Sequence, residues 1–403
     1  MRFISHLHSR TAVLWMLLVA FVLSACGTLI QEVPGGAPTQ EVPGGAPTQE
    51  VPGGAPNQDA PMFRANPART GVFPSDGPTT LNELVWMFKT DGWVFSSPAV
   101  AGGMVYVGSL DNWLYALDAE TGQEKWRFQT KGIVGSSPAI ADGVVYVGSN
   151  DGRLYALDAR TGQEKWRFKT DGGIASSPAV AGGVVYIGSG DGRLYALDTR
   201  TGQEKWTFNT DGEVTSSPAV ADGVVYVGRY GRLYALDART GQEKWRFQTE
   251  GIVGSSPVGS SPAIADGVVY VGSEYGRLYA LDARTGQEKW RFQTEGRVFS
   301  SPAIADGVVY VGSNDGRLYA LDARTGQEKW RFKTDGGIGS SPAVAGSMVY
   351  VGSEDGRLYA LDARTGQEKW TFKTGSEAVY SSPAVAGGVV YFGDTDGYLY
   401  AVR

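Results

Sequence analysis

From residue 84 to the C-terminus, apolar and polar positions fall into short runs that recur with a long period. In the unit Ser136–Lys169, SSPAIA, VVYVGS, RLYALD and KWRFK are strand-length segments rich in β-branched and aromatic residues. They are separated by Ala-Asp-Gly, Asn-Asp-Gly and the longer Ala-Arg-Thr-Gly-Gln-Glu. Asp-Gly between apolar runs is a hairpin signal, because the tight turn needs a positive φ that glycine adopts without strain. In the fourth segment Trp166 and Phe168 share one face, and Lys165, Arg167 and Lys169 share the other. The first segment is built of small residues, as expected where sheets converge on an axis.

Tryptophan sets the phase of the repeat. Trp86, Trp126, Trp166, Trp206, Trp245, Trp290, Trp330 and Trp370 are separated by 40, 40, 40, 39, 45, 40 and 40 residues. Eight such units predict an all-β fold, an eight-bladed β-propeller of four-stranded antiparallel blades over residues 84–403. The last unit stops at Arg403 after three strands, while Leu84–Lys89 (LVWMFK) reads as a lone fourth strand. The N-terminal strand is therefore expected to complete the last blade, giving a closed monomeric ring with no long sheet edge. The irregular units, one residue short at Arg229-Tyr230-Gly231 and lengthened by a duplication at Gly254–Val258, vary only in loops.

The chain before the ring has a different pattern. Residues 1–25 read as a secretory signal, with the positive charge of Arg2 and Arg10 before the apolar run Ala12–Leu23, which is short for a bilayer span. The run ends in Leu23-Ser24-Ala25-Cys26, which resembles the lipobox of bacterial lipoproteins and implies cleavage before Cys26 and lipidation of its thiol. The alternatives are an ordinary signal with a chance cysteine, or a short membrane anchor. Residues 26–61 carry EVPGGAPTQ twice and EVPGGAPNQ once, a Pro/Gly-rich tether. Residues 62–83 form a lead-in segment beginning MFRANPARTG.

Composition then narrows the chemistry. The 57 glycines are about twice the usual share and fit a turn-rich β-protein. His6 and His8 lie in the signal, and Cys26 is the only cysteine. A processed chain thus lacks histidine and a free thiol, which removes Ser-His-Asp and Cys-His nucleophilic catalysis, histidine- or cysteine-ligated zinc, and any disulfide. Without Arg2 and Arg10 the balance is 34 basic against 42 acidic residues, so nucleic acid is not an expected partner.

Ala156–Trp166 (ALDARTGQEKW) matches the A-x-D-x-x-T-G-x-x-x-W repeat, and the ring resembles the PQQ-like propellers. The resemblance implies a tryptophan-docking role for the eight phased tryptophans, each packed between neighbouring blades. It implies function less narrowly, since the family holds both PQQ-dependent quinoprotein dehydrogenases and cofactor-free lipoproteins. The dehydrogenases hold PQQ with a disulfide between adjacent cysteines, a tryptophan platform and calcium. One cysteine cannot supply that disulfide, and no calcium-ligand set is apparent, so no cofactor is expected. In length, lipobox and blade count the chain resembles BamB, a lipoprotein scaffold of outer-membrane protein assembly, although the triple tether and near-identical repeats depart from it. The resemblance implies a non-catalytic scaffold for envelope proteins, outside the cytoplasm and on the membrane through its lipid alone. A quinoprotein dehydrogenase is the alternative.

Within each blade, the loops after strands two and four share one end and vary among units, whereas those after strands one and three barely change. The variable face is the expected contact surface. There Trp93, Phe95, Trp113, Phe299, Tyr380 and Tyr398 replace small or charged residues of the other units. All but Phe299 belong to the first and last blades, where they are expected to form an aromatic sector at the closing seam. It either binds a partner or packs the lead-in segment. The Ser-Ser-Pro triplets read as packing, and the Asn-Asp-Gly and Glu-Asp-Gly turns as hairpins rather than calcium loops.

Overall fold

The computed structural model describes residues 59–229, 231–249 and 260–403. The signal, Cys26, nearly all of the tether and the Gly254–Val258 duplication lie outside the described residues. The described strands, numbered β1 to β32 in chain order, form eight antiparallel four-stranded sheets. In the first blade they are β2 (Ala99–Ala101), β3 (Met104–Gly108), β4 (Trp113–Asp118) and β5 (Glu124–Gln129), hydrogen-bonded in that order. The eighth sheet runs β1 (Leu84–Lys89), β32 (Tyr398–Val402), β31 (Val389–Gly393), β30 (Ala384–Ala386). Trp86 faces Ala401 and Lys89 faces Tyr398 across the closing pair. Arg403 adds an ion pair with Glu83 at 2.5 Å.

Sequence composition accounts for this layering. The inner strands are three-residue Ala-Val-Ala or Ala-Ile-Ala, short enough to converge; the middle strands bury Val-Tyr-Val and Leu-Tyr-Ala-Leu; the outer strands alternate exposed and half-buried residues. At the first turn of blade two, Asp142 and Gly143 have φ of 50° and 71°. Two successive positive φ values are what a type I′ hairpin requires.

Each blade docks on the next through one carbonyl. Trp126 Nε1 and the Tyr106 hydroxyl both donate to Ala159 O, each at 3.0 Å, and the Trp166 and Tyr146 pair repeats this on Thr199 O. Gly162 covers the indole so closely that a Cβ there would lie 2.7 Å from Trp126. All eight phased tryptophans donate the indole N–H to a carbonyl in this way, from Trp86 on Ala119 O to Trp370. Trp370 is the exception in its acceptor. The last blade has no Asp-Ala-Arg-Thr-Gly turn, and Pro78 O of the lead-in segment receives both Trp370 Nε1 (3.0 Å) and the Tyr350 hydroxyl (2.8 Å).

The lead-in segment, together with residues 60 and 61 just before it, is bonded around the axis. Val100, Ile140, Val220, Ile264, Ile304 and Val344, each central in an inner strand, donate their N–H to carbonyls of residues 60, 61, 67, 68, 70 and 71 at 2.6–2.9 Å. Blade eight is reached by Ser75 Oγ on Val385 O, and blade three by Arg69 on Pro178 O. Inner edges that would otherwise leave polar backbone unmatched are thereby paired.

Candidate functional site

The end of the ring that carries the varying loops is identified by bonds between them. Leu110 N–H donates to Trp93 O, and the same link recurs from Asn150 to Ile133 and from Asn314 to Arg297. Loops after strands two and four therefore do share one face.

On that face the chain ends bring Trp93, Phe95 and Tyr380 together. Trp93 and Phe95 meet edge to face with centroids 5.6 Å apart, and Phe95 lies 5.4 Å from Tyr380 across the seam. All three are half-buried, which leaves ring surface open to solvent. Trp93 and Tyr398 line one further surface depression with Lys89, Thr395 and Asp396, and Lys89 Nζ sits 4.8 Å from the Tyr398 ring centre. Trp113 is half-buried against the core cluster that Tyr398 also packs on, with Arg127 4.7 Å from its ring centre. Phe299 is placed on the same face but is only 5% exposed, with Arg297 5.9 Å from its ring centre. The expectation of a solvent-facing residue therefore does not hold there.

Phe95 and Tyr380 also line an axial depression of about 30 Å³. Its wall is a closed ring formed by the second serine of every Ser-Ser-Pro: Ser97, Ser137, Ser177, Ser217, Ser261, Ser301, Ser341 and Ser382. Each backbone N–H donates to the hydroxyl of the next, at 2.9–3.1 Å, and Ser382 closes on Ser97 at 3.0 Å. The first serine of most triplets accepts an N–H from its own second strand, as Ser136 does from Gly148 at 3.2 Å. The floor includes Phe63 of the lead-in segment. Arg69 lies against Phe63, 5.1 Å from its ring centre, and donates to Phe63 O at 3.1 Å and Ser177 O at 2.8 Å. Arg64 donates to Pro302 O and to Pro342 O. Burial pushes both guanidiniums down to about 9, and Arg69 adds repulsion at Arg64. Both stay charged at neutral pH.

Sequence reasoning placed Arg64 and Arg69 only within a lead-in motif and did not find their axial role. Their signal was two arginines in a stretch that carries no acid between Asp59 and Asp76. The Asp-Gly turns are saturated: Asp151 accepts from Arg153 N–H at 2.9 Å, the Tyr155 hydroxyl at 2.6 Å and Lys131 N–H at 3.0 Å. Among the described residues no group of three or more acidic, histidine or cysteine side chains is arranged for a metal.

The family model described as outer membrane protein assembly factor BamB matches residues 79–172, 129–251, 229–337 and 300–403, which together span the whole ring. The chain belongs to this family. BamB from Moraxella catarrhalis is 22% identical with a TM-score of 0.68, over 80% of this chain and 99% of that one. The computationally designed Ika8 protein is 23% identical with a TM-score of 0.71, over 80% and 99%. The quinohemoprotein alcohol dehydrogenase of Comamonas testosteroni is 20% identical with a TM-score of 0.73, over 86% and 80%. At these identities the three structures share a fold with this BamB-family chain. A search of curated proteins gave no match.

Proposed function

We propose that this BamB-family chain is a non-catalytic scaffold, tethered outside the cytoplasm by a lipid on Cys26, whose variable loop face binds proteins of the cell envelope. The observation that carries the reading is the half-exposed run Trp93, Phe95 and Tyr380 at the seam, continued by the depression shared with Tyr398. Aromatic rings clustered on a rigid frame bury large area at small entropy loss, which is the composition of binding hot spots. Phe63 of the lead-in segment reaches the axial depression beside Phe95 and Tyr380, whereas no lead-in residue lines the depression of Trp93 and Tyr398, which favours the partner reading over simple packing at those two. A part in assembling outer-membrane proteins follows by analogy with the family description. A tether would confine the ring to the membrane surface and raise its effective concentration there.

The groups around the axis do not fit a quinone with calcium. The lining is serine, glycine and threonine with Phe63, Phe95 and Tyr380, without a tryptophan platform, and the single cysteine, Cys26, precedes the ring in sequence.

Capture of partners from envelope extracts tests the proposal. The parent is expected to retain a polypeptide partner, and Trp93→Ala with Tyr398→Ala to lose most of it while melting as the parent does. Undiminished capture by the folded double variant would refute the aromatic sector. Addition of PQQ and calcium is expected to give neither cofactor absorbance nor dye-linked alcohol oxidation; the appearance of both would establish the dehydrogenase alternative.

A further inference from the structure

The axial depression holds groups for which a protein-binding loop face has no use. The eight serine hydroxyls that ring it each accept one backbone N–H, and none donates to an acceptor among the described residues. A hydroxyl whose oxygen already accepts a bond still has its proton to give. These side chains belong to residues only 2–8% exposed, and all line the same space. The result is a convergence of donors at the ring axis without matching acceptors.

Charge at the axis has the same sense. Arg64 and Arg69 are wholly buried, and among the described residues no carboxylate pairs with either; carbonyl oxygens hold both. Arg69 reaches the depression's wall through Ser177 O and its floor through Phe63. Buried cations without a counter-charge favour a negative ligand nearby. Glu354 is the acidic side chain beside the rim, close over Gly337 and Gly339, and burial raises its pKa, which lowers its opposition to such a ligand.

We propose that the serine crown binds a small oxyanion, a phosphate or a carboxylate, on the ring axis above Arg69. The depression is partly open to solvent and is lined by Gly135, Thr215, Gly339 and Tyr380 of the loops after strand four, so the oxyanion can arrive free or as the carboxylate end of a peptide. The site goes beyond the scaffold reading and does not depend on it: failed partner capture would leave the titration below unaffected.

The test is titration of the full-length protein with sodium phosphate, against sodium chloride at equal ionic strength and pH 7, followed by calorimetry and thermal unfolding. Phosphate is expected to bind saturably and to raise the unfolding midpoint beyond the chloride control. Crystals soaked in selenate are expected to show an anomalous peak on the axis. Gly135 lines the depression, and a Cβ there meets nothing within 4 Å, so Gly135→Phe sets a ring at the edge of the depression with no clash at its Cβ. It is expected to fold as the parent does and to weaken phosphate binding by about tenfold or more, the loss of one good charged hydrogen bond. Competition by a peptide with a free C-terminus, but not by its amidated form, would assign the site to peptide carboxylates. Titration by phosphate without such competition would assign it to the free anion. Phosphate behaving as chloride does, or Gly135→Phe titrating as the parent does, would overturn the proposal.

Discussion

The outer wall and the axis of this ring are built on opposite plans. On the wall one arrangement is stamped out around the circle, an indole and a tyrosine hydroxyl of one blade meeting a single turn carbonyl of the next. At the axis a single unrepeated segment meets every blade, with different residues at each and two arginines reaching carbonyls of blades three, four, six and seven. The two plans meet at Pro78, where the unrepeated segment takes the place of the turn that blade eight lacks. Identical repeats can form a ring but cannot distinguish one blade from another. The lead-in segment and the seam supply that distinction, and the proposed functional groups gather there.

Breaking the seam should have the largest effect. Deleting Leu84–Lys89 removes β1 from the closing sheet and Trp86 from Ala119 O, and is expected to lower the thermal midpoint more than any point substitution. Melting as the parent does would refute closure by β1. Next come one substitution at each place. Trp206→Ala removes a 9% exposed docking ring and is expected to cost about 3–5 kcal/mol in denaturant unfolding. Arg69 lies outside the repeats, yet Arg69→Ala unpairs carbonyls at Phe63, Ser177, Pro178 and Pro218, and is expected to cost on the order of 3 kcal/mol or more. A near-neutral Arg69→Ala would mean that the axis contributes little to stability.

Acid sharpens the contrast because it acts on the wall. The turn aspartates Asp118 and Asp198 are held down to about 2, led by the Thr121 hydroxyl at the first and by Lys205 at the second. Asp158, Asp237, Asp282, Asp322 and Asp362 shift the same way. A depressed carboxyl stabilises the fold above its unfolded pKa of about 4, and that contribution is lost as pH falls through the folded value. Melting temperatures are thus expected to fall between about pH 4 and pH 2. Glu354 and Asp394, raised by burial, act in the opposite direction but are fewer. The smallest effect is expected from Arg167→Ala, which breaks an exposed pair with Glu164 at 2.8 Å and should change stability by about 1 kcal/mol or less.

The ring was legible in sequence because its determinants are local and periodic. Asp-Gly marks turns, small residues mark inner strands, and a tryptophan every forty residues or so marks the interfaces. Even the closure was readable, since LVWMFK is a fourth strand without its blade. The axial arrangement was not, because nothing in MFRANPARTG states that Arg69 will meet Ser177, 108 residues away. The serine ring escaped for a related reason: each hydroxyl bonds to the adjacent blade, a contact that exists only once the circle is closed. Phe299 shows the limit of reading exposure from variability. It differs between blades like a surface residue but lies buried in a loop.

The claim that repeats build the ring and unrepeated residues use it can be tested directly by site-specific photo-crosslinking in envelope extracts. A photoreactive phenylalanine would replace Trp93, Phe95 or Tyr380 at the seam, or Arg167, Arg246 or Arg331 on the outer strands. The account predicts a discrete protein adduct from the seam positions and none from the outer strands. Equal adducts from both sets, or adducts from the outer strands alone, would contradict it.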